Sequence, residues 1–160
     1  MLSLGITFEV GAGWVHQQSG SEFFDIERDP GSPDVIAVQF AGVNRPATDI
    51  ANEIRARSDV AFDMPKGFDL NCPLHALRLT VTPTDTSVES PQFWPVVEVA
   101  AGTLSVASGR RLQLNILDLD AGTVIVMIGG SIAHWDATLA AAGPVLDSLH
   151  ISPPRSYACD

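Results

Sequence analysis

Lysine is nearly absent from this chain. Lys66 is the one lysine in 160 residues, and all lysines and arginines number 9 against 19 aspartates and glutamates. The resulting formal charge of −10 at pH 7 argues against nucleic acid and anionic lipid as partners, because both require clustered basic side chains. Cysteine is scarce too. Cys72 and Cys159 lie far apart and outside any C-x-x-C, so neither a zinc site nor a thioredoxin-like redox motif is written here. Two readings of the pair stay open: a disulfide tying the C-terminal tail to the body, which implies an oxidising compartment, or two unrelated thiols. No apolar run approaches the roughly 20 residues of a membrane helix, so no transmembrane segment is expected in this chain.

What remains is globular in character. Apolar residues make up 46%, charged residues 18%, and mean hydropathy is +0.19, too apolar for intrinsic disorder. The length fits a single domain over 1–160, with 150–160 as a C-terminal tail, and a core that needs no metal or staple. The start, Met1-Leu2-Ser3-Leu4, lacks the basic residues, apolar stretch and small-residue cleavage site of a secretory signal. The expectation is a cytoplasmic protein, or an extracytoplasmic one whose leader lies outside this sequence.

Strand-like alternation dominates. Ile6, Phe8 and Val10 alternate with Thr7 and Glu9, and the turn Gly11-Ala12-Gly13 suggests a hairpin over 5–18. Further strands are expected at 22–27 and 34–40, around the turn cluster Asp29-Pro30-Gly31-Ser32-Pro33, and at 74–81. The clearest runs from Arg111 to Leu117: Leu112, Leu114 and Ile116 point one way, Arg111, Gln113 and Asn115 the other. One face buried and one partly wet favours antiparallel pairing. Thr123 to Ile128 is apolar on both faces and therefore central, joined to its predecessor through Asp120-Ala121-Gly122. Residues 82–92 read as a polar surface loop. Phe93 to Val99 reads as an apolar stretch broken by Pro95.

Two helices are expected. The first begins near Pro46, with Ala47, Ile50, Ala51 and Ile54 on one face and Arg55 and Arg57 near its end. The second spans about Ile132 to Leu149, with Trp135, Leu139, Ala142 and Leu146 on its stripe and a kink or restarted turn at Gly143-Pro144. Together these elements predict an α+β fold, an antiparallel sheet covered by two helices.

Chemistry is sparsely written. His16, His75, His134 and His150 are scattered, and none sits in H-x-x-x-H, so no metal site and no cofactor are expected. G-x-S-x-G, G-x-G-x-x-G and the P-loop are missing, and no catalytic residue is assigned. Gly129-Gly130-Ser131 reads as a turn with Ser131 as helix cap. His134 and Asp136 read as a solvated first turn. Asp118 and Asp120 point to one side of a strand end. They are a carboxylate pair able to contribute to a calcium site or to share a proton or, more simply, a hairpin end that keeps its charge in water. Trp14 and Trp135 read as core. Phe93 and Trp94 are the candidate ligand-binding residues, able to line a pocket or a partner patch.

Several segments taken in order are familiar. Phe8-Glu9-Val10 followed by Gly13-Trp14, then Phe23-Phe24-Asp25, the helix Asp49 to Asp59, Leu117-Asp118-Leu119-Asp120-Ala121-Gly122-Thr123-Val124-Ile125-Val126, and Trp135-Asp136-Ala137 through Pro144-Val145-Leu146-Asp147-Ser148-Leu149 make a chain that resembles bacterial PsbP-like domains, which include LpqN-type lipoproteins. The match covers most of the sequence. It departs at Asp69-Leu70-Asn71-Cys72-Pro73 and at Gly11-Ala12-Gly13, which lacks the usual proline, and no lipobox cysteine is present. The resemblance implies an αβα sandwich with a central antiparallel sheet of about six or seven strands flanked by two main helices. It also implies a home outside the cytoplasm or in the cell envelope. It carries no catalytic residues. The expected function is a non-enzymatic binding or accessory domain of the bacterial cell envelope, its partner an unknown protein or small ligand. The alternative is a small-molecule-binding sensor or small hydrolase with a pocket under the 82–99 segment.

Overall fold

The computed structural model describes residues 6–29, 32–67, 76–85, 92–119 and 121–151, without the side chains of 16–19 and 151. The strands are β1 (Ile6–Thr7), β2 (Val15–Ser19), β3 (Phe23–Glu27), β4 (Val35–Gly42), β5 (Val60–Phe62), β6 (Lys66–Gly67), β7 (Ala76–Pro83), β8 (Phe93–Val99), β9 (Gly102–Ala107), β10 (Arg110–Leu119), β11 (Gly122–Ser131) and β12 (His150–Ile151). The helices are α1 (Ala47–Arg55) and α2 (Trp135–Asp147), the latter preceded by a 3-10 turn over Ile132–His134. The fold is α+β. Its main sheet runs β2-β3-β4-β11-β10-β7-β5, with the short β6 also pairing β7, and every pairing is antiparallel.

The ten-residue strands β10 and β11 form the centre. They pair in unbroken register from Arg110 opposite Ser131 to Leu119 opposite Gly122. Gly122 has φ of +125°, and a Cβ there would fall 2.7 Å from the Gly42 carbonyl oxygen, so the hairpin end needs glycine. Alternation along the strands then sorts side chains into two apolar clusters. Leu112, Leu114, Ile116, Ile125, Leu79 and Val81 join Ala47, Ile50, Ala51 and Ile54 of α1 in one. Leu117, Val124, Val126, Ile128, Ile26 and Val38 join Trp135, Ala142 and Val145 of α2 in the other.

The expected hairpin over 5–18 does not form. β1 pairs with β12, Ile6 opposite Ile151, while β2 pairs with β3. Glycines at 11 and 13 open a connection, but the N-terminal strand finds its partner at the far end of the chain. There Ser148 Oγ accepts from the Glu9 backbone N–H at 2.8 Å. The strand expected at 74–81 is observed from Ala76 and runs on to Pro83, so the first residues of the expected 82–92 loop belong to it. β8 continues through Pro95. Among the described residues it pairs β9 alone, and its register shifts between Pro95 and Val97; a bulge on a sheet edge is where a strand tolerates proline.

Gly129 and Gly130 are strand rather than turn, pairing with Leu112 and Arg111. The reason is tertiary. A Cβ on Gly130 would meet Thr138 of α2 at 2.6 Å, so the glycine lets the helix sit against the sheet. Thr138 is fully buried, and its hydroxyl donates to Asp34 Oδ1 at 2.7 Å. Ser131 is the expected cap, its Oγ accepting from Ala133 N–H. The buried face of α2 is Trp135, Thr138, Ala142 and Val145. Leu139, Leu146 and Leu149 are only partly buried beside it, so the stripe is rotated relative to the leucines. Pro144 lies within α2, and the helix passes through it without restarting.

Candidate functional site

The two faces of β7 and β10 differ sharply. Toward α1 they carry Leu77, Leu79, Val81, Leu112, Leu114 and Ile116. On the opposite face, past the apolar row of Ala76 and Leu117, they carry Arg78, Thr80 and Thr82 from β7 and Arg111, Gln113 and Asn115 from β10. The register sets Thr80 beside Gln113 and Arg78 beside Asn115, and a side-chain hydrogen bond sets Thr82 beside Arg111. The row of Arg78 and Asn115 extends to β6, where Lys66 stands opposite Arg78. Residues paired in this way project to the same side of the sheet.

Gln113 and Asn115 are buried, and burial of amides is tolerated only with partners. Asn115 Nδ2 donates to the Val126 carbonyl at 2.9 Å, and its Oδ1 accepts from Arg78 Nε at 2.7 Å and Gln113 Nε2 at 3.4 Å. Nearer the edge, Arg111 Nε donates to Thr82 Oγ1 at 3.3 Å, and its guanidinium lies 5.7 Å from the centre of the Trp135 ring, within cation–π range. Thr80, Thr82, Arg111 and Trp135 share an open cleft of about 320 Å³ with Asp63, just beyond β5. Asp63 is pinned there by reciprocal bonds: its N–H donates to the Thr80 carbonyl, and its carboxylate accepts from the Thr80 N–H. The cleft therefore gathers a guanidinium, a carboxylate and two threonines on the sheet.

The expected site residues are placed as follows. Phe93 and Trp94 stand in different surroundings. Phe93 is 68% exposed, while Trp94 is half-buried against the α1-side cluster, because neighbours on a strand face opposite ways. Neither lines the cleft at Arg111 or a second open cleft of about 350 Å³ between the β8–β9 hairpin and the sheet, which includes Asp25, Gln39, Thr103 and Met127. Asp118 is not a bare hairpin end in water. Its Oδ1 accepts from Ala47 N–H at 2.7 Å and from Thr123 Oγ1 at 2.9 Å. Pro46 occupies the N-cap of α1 and offers no side-chain hydrogen bond, so a carboxylate from β10 satisfies the helix terminus instead. Asp120, Cys72, Cys159 and His75 lie outside the described residues. His134 and Asp136 are exposed, as a solvated first turn requires. Among the described residues no group of three or more His, Cys, Asp or Glu side chains is gathered to hold a metal.

No protein-family model matches this sequence, and no curated protein matches it. Among solved structures, the chain is similar to cyanobacterial PsbP (CyanoP) from Synechocystis sp. PCC 6803, determined in solution. The TM-score is 0.46 and the identity 12%, with 92% of this chain and 87% of that chain covered. No residue's role is carried over from that likeness.

One further feature bears on charge. Arg57 and Asp59, just past α1, form a forked pair with Nη2–Oδ2 at 2.7 Å and Nε–Oδ1 at 3.0 Å. The bonds from Arg57 hold the Asp59 carboxyl below its ordinary pKa, and Asp59 raises that of Arg57. Arg28 pairs with Asp34 and Arg45 with Glu53. Arg111, by contrast, makes no ion pair among the described residues, and neither does Asp63. Sequence alternation places Arg111, Gln113 and Asn115, and likewise Arg78 and Thr80, opposite the apolar face. Gln113 and Asn115 are buried rather than wet, because they satisfy one another and the neighbouring strand. Asp63 gives no signal, since its role depends on an edge strand and its register.

Proposed function

We propose that this chain is a PsbP-like domain, related to LpqN-type lipoproteins and built as an αβα sandwich, that acts as a non-enzymatic binding or accessory module of the bacterial cell envelope. The order of the sequence motifs supports the relationship and the location. The two apolar clusters, one holding α1 and the other α2, support the sandwich. The observation that carries a binding role is the polar face of β10, β7 and β5. There the alternation that fills a core on one side sets Arg111, Thr82, Thr80 and Asp63 around an open cleft on the other. A rigid sheet carrying polar groups fixed by their neighbours is suited to holding a ligand in one orientation.

Amide-resolved NMR titration of the full chain with pools of small fragments tests this. Binding at the proposed site moves the amides of Thr80, Thr82, Arg111 and Gln113. Shifts confined to 99–105 and Gln39, around the other cleft, overturn it, and turnover of ester or phosphoester substrates replaces it with the small-hydrolase reading. Fractionation of the native host places the chain, and alkylation without prior reduction tests the Cys72–Cys159 bridge that an oxidising compartment would allow.

A further inference from the structure

We propose that the cleft between Arg111 and Asp63 takes a small zwitterion, a molecule with a carboxylate at one end and an ammonium group at the other. The inference rests on the binding role proposed for this sheet face.

Arg111 and Asp63 line one cleft yet form no ion pair with each other or with any described residue. Both are held in place by other means. Arg111 spends its Nε on Thr82 and rests over Trp135, which leaves its two terminal nitrogens as a fork suited to a carboxylate. One oxygen of Asp63 is taken by the Thr80 N–H, and the other has no hydrogen-bond partner among the described residues. The two groups come from opposite sides of β7, since Arg111 is on β10 and Asp63 follows β5. Two strand spacings put those backbones about 10 Å apart. A ligand bridging the two charges therefore needs them separated by several bonds.

Charge also disfavours a simple anion. A phosphate or dicarboxylate placed on Arg111 would share the cleft with the Asp63 carboxylate, and like charges in one site repel. A lone amine meets the mirror problem at Arg111. A molecule carrying both charges answers each group with its opposite, and the hydroxyls of Thr80 and Thr82 lie between them. A cleft of about 320 Å³ is of a size for a small organic molecule.

The test uses the full chain and γ-aminobutyrate, 5-aminovalerate and 6-aminohexanoate, with butyrate and butylamine as single-charge controls, read by amide shifts. At least one of the amino acids is expected to move Thr80, Thr82 and Arg111 with an affinity roughly tenfold or more above both controls. Arg111→Gln and Asp63→Asn should each weaken it roughly ten- to hundredfold, the scale of a lost charged hydrogen bond. If Arg111→Gln fails to fold, Arg111→Lys keeps the charge without the fork, and Asp63→Asn stands as an independent arm. Butyrate binding the same amides as tightly as every amino acid overturns the zwitterion while leaving the binding face intact. Failure of all five probes to move this face, while other fragments do move it, overturns it likewise. Ligands that shift only the other cleft defeat both readings.

Discussion

β7 and β10 present two surfaces made by alternate residues of the same strands, and the two have opposite characters. On the α1 side, Leu79, Val81, Leu114 and Ile116 are buried completely or nearly so, and α1 and the β8–β9 hairpin supply the matching apolar groups. On the other side α2 and its cluster cover β11, β4 and β3 through Val126, Ile128, Val38 and Ile26, and past the apolar row of Leu117 and Ala76 β10 and β7 carry polar rows to the sheet edge. One helix of 13 residues is about 20 Å long at 1.5 Å per residue, shorter than the width of seven strands at about 4.8 Å each. Part of that face must be completed by polar groups that satisfy one another, and those are the groups left to meet a ligand.

Mutations that break this contrast should rank accordingly. Trp135 belongs to both worlds, a core member of the α2-side cluster and the support for Arg111. Trp135→Ala should lower unfolding free energy by about 3–5 kcal/mol, read by chemical denaturation; an unchanged midpoint would refute its core role. Leu114→Ala, on the committed face, should cost about 2–5 kcal/mol. Thr80→Val, on the same sheet but the other face, should change stability by under about 1 kcal/mol. Equal costs would show that the polar face is as rigidly packed as its reverse.

An effect between those of Leu114 and Thr80 is expected at Asp118, whose carboxylate caps α1 from a neighbouring strand. Asp118→Ala should cost about 1–2 kcal/mol and loosen hydrogen exchange in the first turn of α1 before the rest of the helix. The smallest concerns Asp59, where the pair with Arg57 is surface-exposed and worth under about 1 kcal/mol. Its folded pKa is depressed, so its contribution is fully present above the unfolded value near pH 4 and is lost as pH falls through the lower folded value. The stability difference between wild type and Asp59→Asn should therefore be greatest near neutral pH and vanish in strong acid. A difference that grows on acidification contradicts the assigned pair.

Most strands and both helices were legible from periodicity, because burial of one face imposes a repeat of two or 3.6 on the residues themselves. The alternation of Leu112, Leu114 and Ile116 against Arg111, Gln113 and Asn115 determined which side of β10 faces a core. The apolar run at Thr123–Ile128 determined that β11 is central, and the spacing of Ala47, Ile50, Ala51 and Ile54 determined the buried side of α1. The tertiary structure alone decided what depends on partners distant in sequence. The pairing of β1 with β12 joins residues at opposite ends of the chain. Gly129 and Gly130 look like a turn until Val35 is brought against the first and Thr138 against the second. Asp118 caps a helix 71 positions away, and the meeting of Asp63 with Arg111 across β7 follows from strand order. No local repeat encodes which strand lies beside which, and a binding cleft is assembled by that order.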